Sequence, residues 1–303
     1  MELPRLHGIV PPVPTPLLAD GAIDRHSLTG LIEFQLKAGV HGLWILGTTA
    51  RFDLLPDAKQ REIAECAAEV GAGRVPLVLN VSDQGTERTQ LRAAMFDDLP
   101  YDYYAVLPPW YQIMTPGEVS DYYTALADTL SRPVVIYNAP WICNQLTFHQ
   151  LHKLAEHPRI VGCKDVTPLL SRPLDWPTAE RREMDFTYLH GTDQLATSAE
   201  LHTDGFVSAL SNGLPELAVA IWNAVRNDDV DRAFRLQSQF LRIARATAFG
   251  PMHACLEAIF RHRGLLGRML PKPLRSLDEA TAQRVIDVVK AVGVLPELSA
   301  TSA

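Results

Sequence analysis

The chain has 303 residues, of which 47% are hydrophobic and 21% are charged, and its formal net charge is −7. This composition is typical of a globular protein, and the acidic balance, with no run of Lys and Arg, argues against a nucleic-acid partner. No apolar stretch approaches the ~18 residues of a membrane span, and "MELPRLHGIV" lacks the pattern of a signal peptide, so we expect no membrane partner. The four cysteines are scattered, which favours free thiols and a cytoplasmic protein.

Short apolar runs rich in Val, Ile, Leu and Tyr recur along the chain, as is typical of parallel strands covered on both faces. We predict strands in eight runs: 7–13, 41–47, 75–81, 102–108, 133–138, 159–164, 186–191 and 205–210. Helical patterns separate these runs. Eight strand–helix units in about 225 residues match a closed (β/α)8 barrel. An open doubly wound sheet competes with it, but no G-x-G-x-x-G follows the first strand.

After residue 227 only helical patterns remain. We therefore predict a (β/α)8 TIM barrel over residues 1–227, which would carry the catalytic site. We predict a small C-terminal helical domain over residues 228–303.

The sixth predicted strand, within "RIVGCKDV", ends on Lys164. A buried ammonium is costly, and desolvation depresses the pKa of a lysine until part of it is a neutral amine. A neutral amine can attack a carbonyl and form a Schiff base, which serves as an electron sink. A salt-bridged lysine, or one whose head group reaches water, is the structural alternative.

Polar side chains at other strand ends extend this hypothesis, because strand ends meet at the mouth of a barrel. Tyr137 ends the fifth strand and could move protons during imine formation. Thr48 and Thr49 follow the second strand and could hold a carboxylate with hydroxyl and backbone N–H groups. A carboxylate holder beside an imine-forming lysine suggests a 2-oxo acid. Each residue alone also fits a purely structural role.

Taken together, the motifs resemble the dihydrodipicolinate synthase/N-acetylneuraminate lyase family of pyruvate-dependent class I aldolases. The resemblance extends along nearly the whole chain, with the motifs in the family's order. They are "GIVPPVPTPL", "GTTAR", "PPWY", "YNAP", "GCKD", "HGTD" and "DGFVSALSN".

The resemblance implies that Lys164 is the Schiff-base lysine and Tyr137 the proton-transferring tyrosine. It also implies that Tyr111 enters a neighbouring subunit's site and completes a relay there with Tyr137 and Thr48. Such sharing implies a homo-oligomer, a dimer of dimers. By the same resemblance, the substrate-binding positions are Thr48, Thr49, Gly191 and Val207.

The sequence departs from the family where a second substrate would bind. The usual GTTGE or GSTGE reads "GTTAR", so that Ala50 would be strained at any positive φ and Arg51 reverses a charge. Arg51 could bind a distal carboxylate, or face away into an ion pair. Ile142 stands where dihydrodipicolinate synthases carry an arginine, which argues against a lysine-biosynthesis role. Asn144 replaces a glycine and tolerates the left-handed region better than most residues.

We therefore predict a class I aldolase or lyase that joins or cleaves pyruvate and an aldehyde, with a substrate such as a 2-keto-3-deoxy sugar acid. No metal or organic cofactor is expected, because the imine supplies the electron sink. The alternatives are a Schiff-base dehydratase or hydratase, a dihydrodipicolinate synthase-like condensation, and a silent 2-oxo-acid-binding protein. The aldehyde cannot be named from the sequence.

Overall fold

A sheet of eight parallel strands runs through the computed structural model, which describes residues 3–168 and 172–293. The strands are β1 (Gly8–Ile9), β2 (Leu43–Ile45), β3 (Leu77–Asn80), β4 (Tyr103–Val106), β5 (Val134–Asn138), β6 (Ile160–Asp165), β7 (Thr187–His190) and β8 (Gly205–Phe206). Their order is β1-β8-β7-β6-β5-β4-β3-β2, and a parallel bridge between Pro12 and Trp44 joins the two ends of the sheet. The sheet therefore closes, and the predicted TIM barrel is confirmed.

Helices follow the strands in alternation. They are α1 (Arg25–Lys37), α2 (Asp57–Gly71), α3 (Thr86–Ala94), α4 (Pro116–Thr129), α5 (Phe148–Leu154), α6 (Thr178–Glu183), α7 (Leu195–Glu200) and α8 (Pro215–Arg226). None of the helices in the described part of the chain is long and apolar enough to cross a membrane.

Helices α9 (Val230–Ala244), α10 (Met252–His262) and α11 (Glu279–Val292) follow the barrel. Phe240 and Ile243 of α9 are fully buried, as its amphipathic pattern indicates. The domain boundary at residue 227 stays a prediction. The end of the predicted C-terminal domain, residues 294–303, lies outside the described residues.

The strands are buried on both faces because helices cover the outside of the barrel and side chains fill its interior. Every residue of β3, β4 and β5 is buried. Two long loops follow β4 and β5, and each ends at a capping box. Thr115 pairs with Glu118 at the start of α4, and Thr147 pairs with Gln150 at the start of α5. These boxes fix where each loop ends and its helix begins.

Asp165 joins the ends of three neighbouring strands. It is fully buried. Its Oδ1 accepts hydrogen bonds from the Asn138 side chain at the end of β5 (3.0 Å) and from the Thr167 backbone N–H (3.0 Å). Its Oδ2 accepts from the Tyr188 hydroxyl of β7 (2.7 Å) and pairs with Arg172 at 3.0 Å. This network ties the carboxyl ends of β5 and β6 to each other and to β7.

We expect Asp165→Ala to destabilise the fold by about 3–5 kcal/mol, because it leaves the buried Arg172 without its counter-charge. The free energy of unfolding from urea titrations measures the loss. Asp121→Ala, on the exposed face of α4, is the control and should change it by less than about 0.5 kcal/mol. Equal effects of the two substitutions would show that the network does not stabilise the barrel.

Candidate active site

Lys164 lies at the carboxyl end of β6 and is only 4% exposed. Its Nζ is 3.8 Å from the centre of the Tyr137 ring and 5.1 Å from the ring of Trp44. Among the described residues no carboxylate forms an ion pair with it, since the neighbouring Asp165 points to the other face of the strand. Burial alone lowers the pKa of Lys164 from 10.5 to about 7. At neutral pH a large part of this amine is therefore uncharged.

Tyr137 is the partner of Lys164 across the β5–β6 ladder. Its hydroxyl is 2.9 Å from the Thr48 Oγ1, within hydrogen-bonding distance. Burial raises the pKa of Tyr137 to about 12, and the Thr48 hydrogen bond acts against this rise. The phenol is thus protonated at neutral pH and can donate a proton. The Lys164 amine lies over the ring and forms no hydrogen bond to the hydroxyl.

A short 3₁₀ helix, Thr48–Ala50, follows β2. It leaves Thr48 half-buried beside Tyr137 and Thr49 buried. The positive φ angles after β2 fall on Leu46 (57°) and Arg51 (55°) and not on Ala50, so the strain considered for Ala50 does not arise. Arg51 forms an ion pair with Asp53 at 2.5 Å. Its part in substrate binding stays a prediction.

Gly191 directly follows β7 and packs against the lysine stem. A Cβ at this position would lie 1.9 Å from Val166 Cγ1 and 3.4 Å from Lys164 Cε. Only glycine leaves room here for both side chains. Val207 follows β8 and is buried, and its backbone N–H donates to the His190 carbonyl.

Tyr111 stands apart from this group. Its side chain is 89% exposed on the loop after β4. Within the described part of the chain its phenol forms no hydrogen bond to Thr48 or Tyr137. A single chain therefore brings together Lys164, Tyr137 and Thr48, and leaves Tyr111, the fourth predicted catalytic residue, at the surface.

Sequence reasoning missed Trp44, which is fully buried in β2. Its ring meets the Tyr137 ring edge-on, with the centroids 5.6 Å apart. Together the two rings cover the amine of Lys164 with apolar surface. Only the alternation of inward and outward positions along β2 could have indicated this role, and a continuous apolar run hides that alternation.

Sequence reasoning also assigned no contact to Asn144. Its backbone is not left-handed. Instead the side chain bonds to the loop that carries Tyr111, with its Oδ1 accepting from the Met114 backbone N–H at 2.9 Å.

The chain is similar to proteins of known fold and family over nearly its full length. It is 32% identical over 280 residues to an uncharacterized DapA-like lyase of Halobacterium salinarum, covering 90% of each chain. It is 28% identical to the probable 2-dehydro-3-deoxy-D-pentonate aldolase YjhH of Escherichia coli K12, covering 96% of this chain and 99% of the relative.

A solved structure has the same fold as this chain over nearly its full length. The barrel superimposes with a TM-score of 0.90 on YagE, a prophage protein of E. coli K12 solved in complex with pyruvate. The two chains are 26% identical, and the match covers 96% of this chain and 99% of YagE.

The family model described as "Dihydrodipicolinate synthetase family" matches residues 5–292. That match spans the barrel and the helices that follow it. By its strand order, its full-length relatives and this match, the chain belongs to the dihydrodipicolinate synthetase family.

Proposed function

We propose that the protein is a class I aldolase or lyase that forms a Schiff base between Lys164 and pyruvate, or another 2-oxo acid, and makes or breaks a bond to an aldehyde. The observation that carries this proposal is the buried amine of Lys164, which has no counter-ion among the described residues and lies over the ring of the protonated Tyr137. With a pKa of about 7, a large part of Lys164 is neutral at neutral pH. The neutral amine is a nucleophile that can form an imine with a ketone. The pyruvate bound to YagE supports the same class of substrate.

In the proposed mechanism the neutral Lys164 amine adds to the C2 carbonyl of the substrate, and Tyr137 donates the proton that lets the C2 oxygen leave as water. The proton goes to the substrate oxygen, so no hydrogen bond between Lys164 and Tyr137 is needed beforehand. Tyr137, which is now a phenolate, then takes the proton of the C4 hydroxyl, the electron pair of the breaking C3–C4 bond passes to the protonated imine, and the aldehyde leaves. Hydroxyls of Thr48 and Thr49 would hold the carboxylate. Gly191 and Val207 would line the pyruvyl pocket.

The acceptor end of the site favours an aldolase over a dihydrodipicolinate synthase. Ile142 occupies the position of the arginine that would bind a second carboxylate, and its apolar side chain is 37% exposed. Arg51 is held by Asp53. An aldehyde fragment with hydroxyl groups, as in a 2-keto-3-deoxy sugar acid, fits such a site better than an amino-acid semialdehyde.

The exposed surface around Tyr111 supports a homo-oligomer, which we propose to be a dimer of dimers. Tyr111 and Ile113 are each 89% exposed, and Trp141 on the neighbouring loop is 63% exposed. Large apolar side chains grouped in this way mark an interaction surface. A second subunit would cover them and receive Tyr111 into its own relay with Tyr137 and Thr48.

The state of the cysteines supports a reducing compartment, and we propose a cytoplasmic location. All four cysteines are free thiols, and three of them are buried. Disulfides are rare in cytoplasmic proteins, where thiols are kept reduced.

Borohydride reduction in the presence of pyruvate tests the Schiff base. We expect a reduced pyruvyl adduct on the peptide that holds Lys164, detected by mass spectrometry. Lys164→Ala should give no adduct, and Lys59→Ala, which removes a lysine from α2, should give as much as the natural chain. Pyruvate binding without an adduct would instead favour a silent 2-oxo-acid-binding protein.

The pH dependence of imine formation reports the pKa of Lys164. Because the neutral amine is the nucleophile, the rate should fall about tenfold per pH unit well below 7 and level off above it. Trp44→Ala should admit water, raise the pKa toward 10.5 and move the midpoint upward. Leu91→Ala, on the exposed surface of α3, is the control. An unchanged midpoint in Trp44→Ala would contradict burial as the cause.

Mixed oligomers test the sharing of Tyr111. Tyr111→Phe and Lys164→Ala should each lower kcat by at least about 10²-fold. When the two variants are co-refolded, a Lys164-bearing subunit receives Tyr111 from its neighbour, so activity should exceed that of either variant alone. A mixture of Tyr137→Phe with Lys164→Ala is the control, because it also combines two impaired subunits but both substitutions lie in residues that act within one subunit. If Tyr111 acts within its own subunit, the first mixture will recover nothing.

A further inference from the structure

Asn144 fastens the loop after β5 to the loop after β4. Its Oδ1 accepts a hydrogen bond from the Met114 backbone N–H at 2.9 Å. Its Nδ2 donates to the Pro109 carbonyl at 2.5 Å and to the Gln112 carbonyl at 2.8 Å. Its own backbone N–H donates to the Pro109 carbonyl at 3.2 Å. One residue thus bonds to both ends of segment 109–114.

Gln84 holds the middle of the same segment from the other side. It lies on the loop after β3, and its Oε1 accepts from the backbone N–H groups of Trp110 (3.2 Å) and Tyr111 (3.0 Å). Segment 109–114 forms neither helix nor strand, so these two amide side chains supply hydrogen bonds that regular structure would otherwise provide.

Tyr111 lies between these anchors. Its backbone is fixed, while its phenol extends into solvent with 89% of the side chain exposed. The backbone of the loop is therefore shaped within one chain, and this fixes the point from which the Tyr111 side chain projects. The backbone of Asn144 is not left-handed, so an asparagine is not needed here for its backbone conformation. Its side chain instead forms the hydrogen bonds to the Tyr111 loop.

We propose that Asn144 and Gln84 are positioning residues that set Tyr111 for the relay of the neighbouring subunit. This inference rests on the proposed function. Neither residue touches the reacting atoms. Catalysis is sensitive to placement, since a shift of about 1 Å in a catalytic group can cost on the order of 10²-fold in rate.

The test is Asn144→Gly. This substitution removes the side-chain hydrogen bonds and still allows the backbone conformation that Asn144 adopts. We expect faster amide hydrogen exchange in the peptide covering 109–114, and a fall in kcat of about 10-fold with little change in the KM for pyruvate. In a Tyr111→Phe background the same substitution should cause no further fall. Gln283→Ala, which removes an exposed amide side chain on α11, is the control and should change neither measurement.

Gln84 provides an independent pair of variants. Gln84→Ala should reproduce the effects of Asn144→Gly, because it frees the N–H groups of Trp110 and Tyr111. Gln84→Glu keeps an acceptor oxygen at the same place and should retain most of the activity.

The outcomes separate this inference from the proposed function. If the natural chain forms the pyruvyl adduct but Asn144→Gly keeps full kcat, the positioning role is wrong and the Schiff-base function stands. The role is equally wrong if kcat falls as much in the Tyr111→Phe background, or if exchange in 109–114 does not change. If the natural chain forms no adduct, the proposed function fails first, while the exchange data still decide whether Asn144 holds the loop.

Discussion

The candidate site depends on one constraint, the burial of the Lys164 amine, to which the described part of the chain offers no counter-charge. Lys164 is enclosed by the rings of Trp44 and Tyr137 and by the close approach of Gly191. Lowering its pKa from 10.5 to about 7 corresponds to roughly 5 kcal/mol of lost preference for the charged form. The barrel must hold the amine there against its tendency to reach water. In the mechanism that we propose, that unfavourable burial keeps part of the amine neutral, and the neutral amine is the nucleophile.

The next residue of β6, Asp165, is buried with hydrogen-bond partners and a counter-charge, unlike Lys164 within the described residues. Asp165 is also buried, but it has hydrogen bonds from Asn138, Thr167 and Tyr188 and an ion pair with Arg172. Adjacent side chains on a strand point to opposite faces, so the two groups do not neutralise each other. The carboxylate of Asp165 is satisfied by its partners, and the Lys164 amine lies on the opposite face of the same strand, over the rings of Tyr137 and Trp44. The bonds on one face of β6 thus fix the strand that carries the amine on the other.

The family scaffold is retained where the 2-oxo acid would bind and altered where a second substrate would. Ile142 places a partly exposed apolar side chain on the loop after β5, and Arg51 forms an ion pair with Asp53. Asn144, in the same loop, binds backbone groups of the neighbouring loop. The charge of Arg51 is thus matched inside the chain, and the side chain of Asn144 ties its loop to the Tyr111 loop.

The sequence alone was sufficient for the barrel, because apolar runs and helical periodicity are local signals that repeat with every unit. It also made Lys164 a candidate site residue, because a charged side chain is unexpected at the end of an apolar strand. It placed Tyr137 and Thr48 near that lysine as further candidates, because the ends of barrel strands meet at one face. Only the tertiary structure decided that Trp44 shields the amine, that Arg51 and not Ala50 takes the left-handed conformation, and that Asn144 bonds to the Tyr111 loop. These features depend on contacts between segments tens of residues apart along the chain, and such contacts have no local pattern from which they can be predicted. The contacts of the exposed Tyr111 phenol cannot be read from the fold of one chain either, because its partner groups would lie on another subunit.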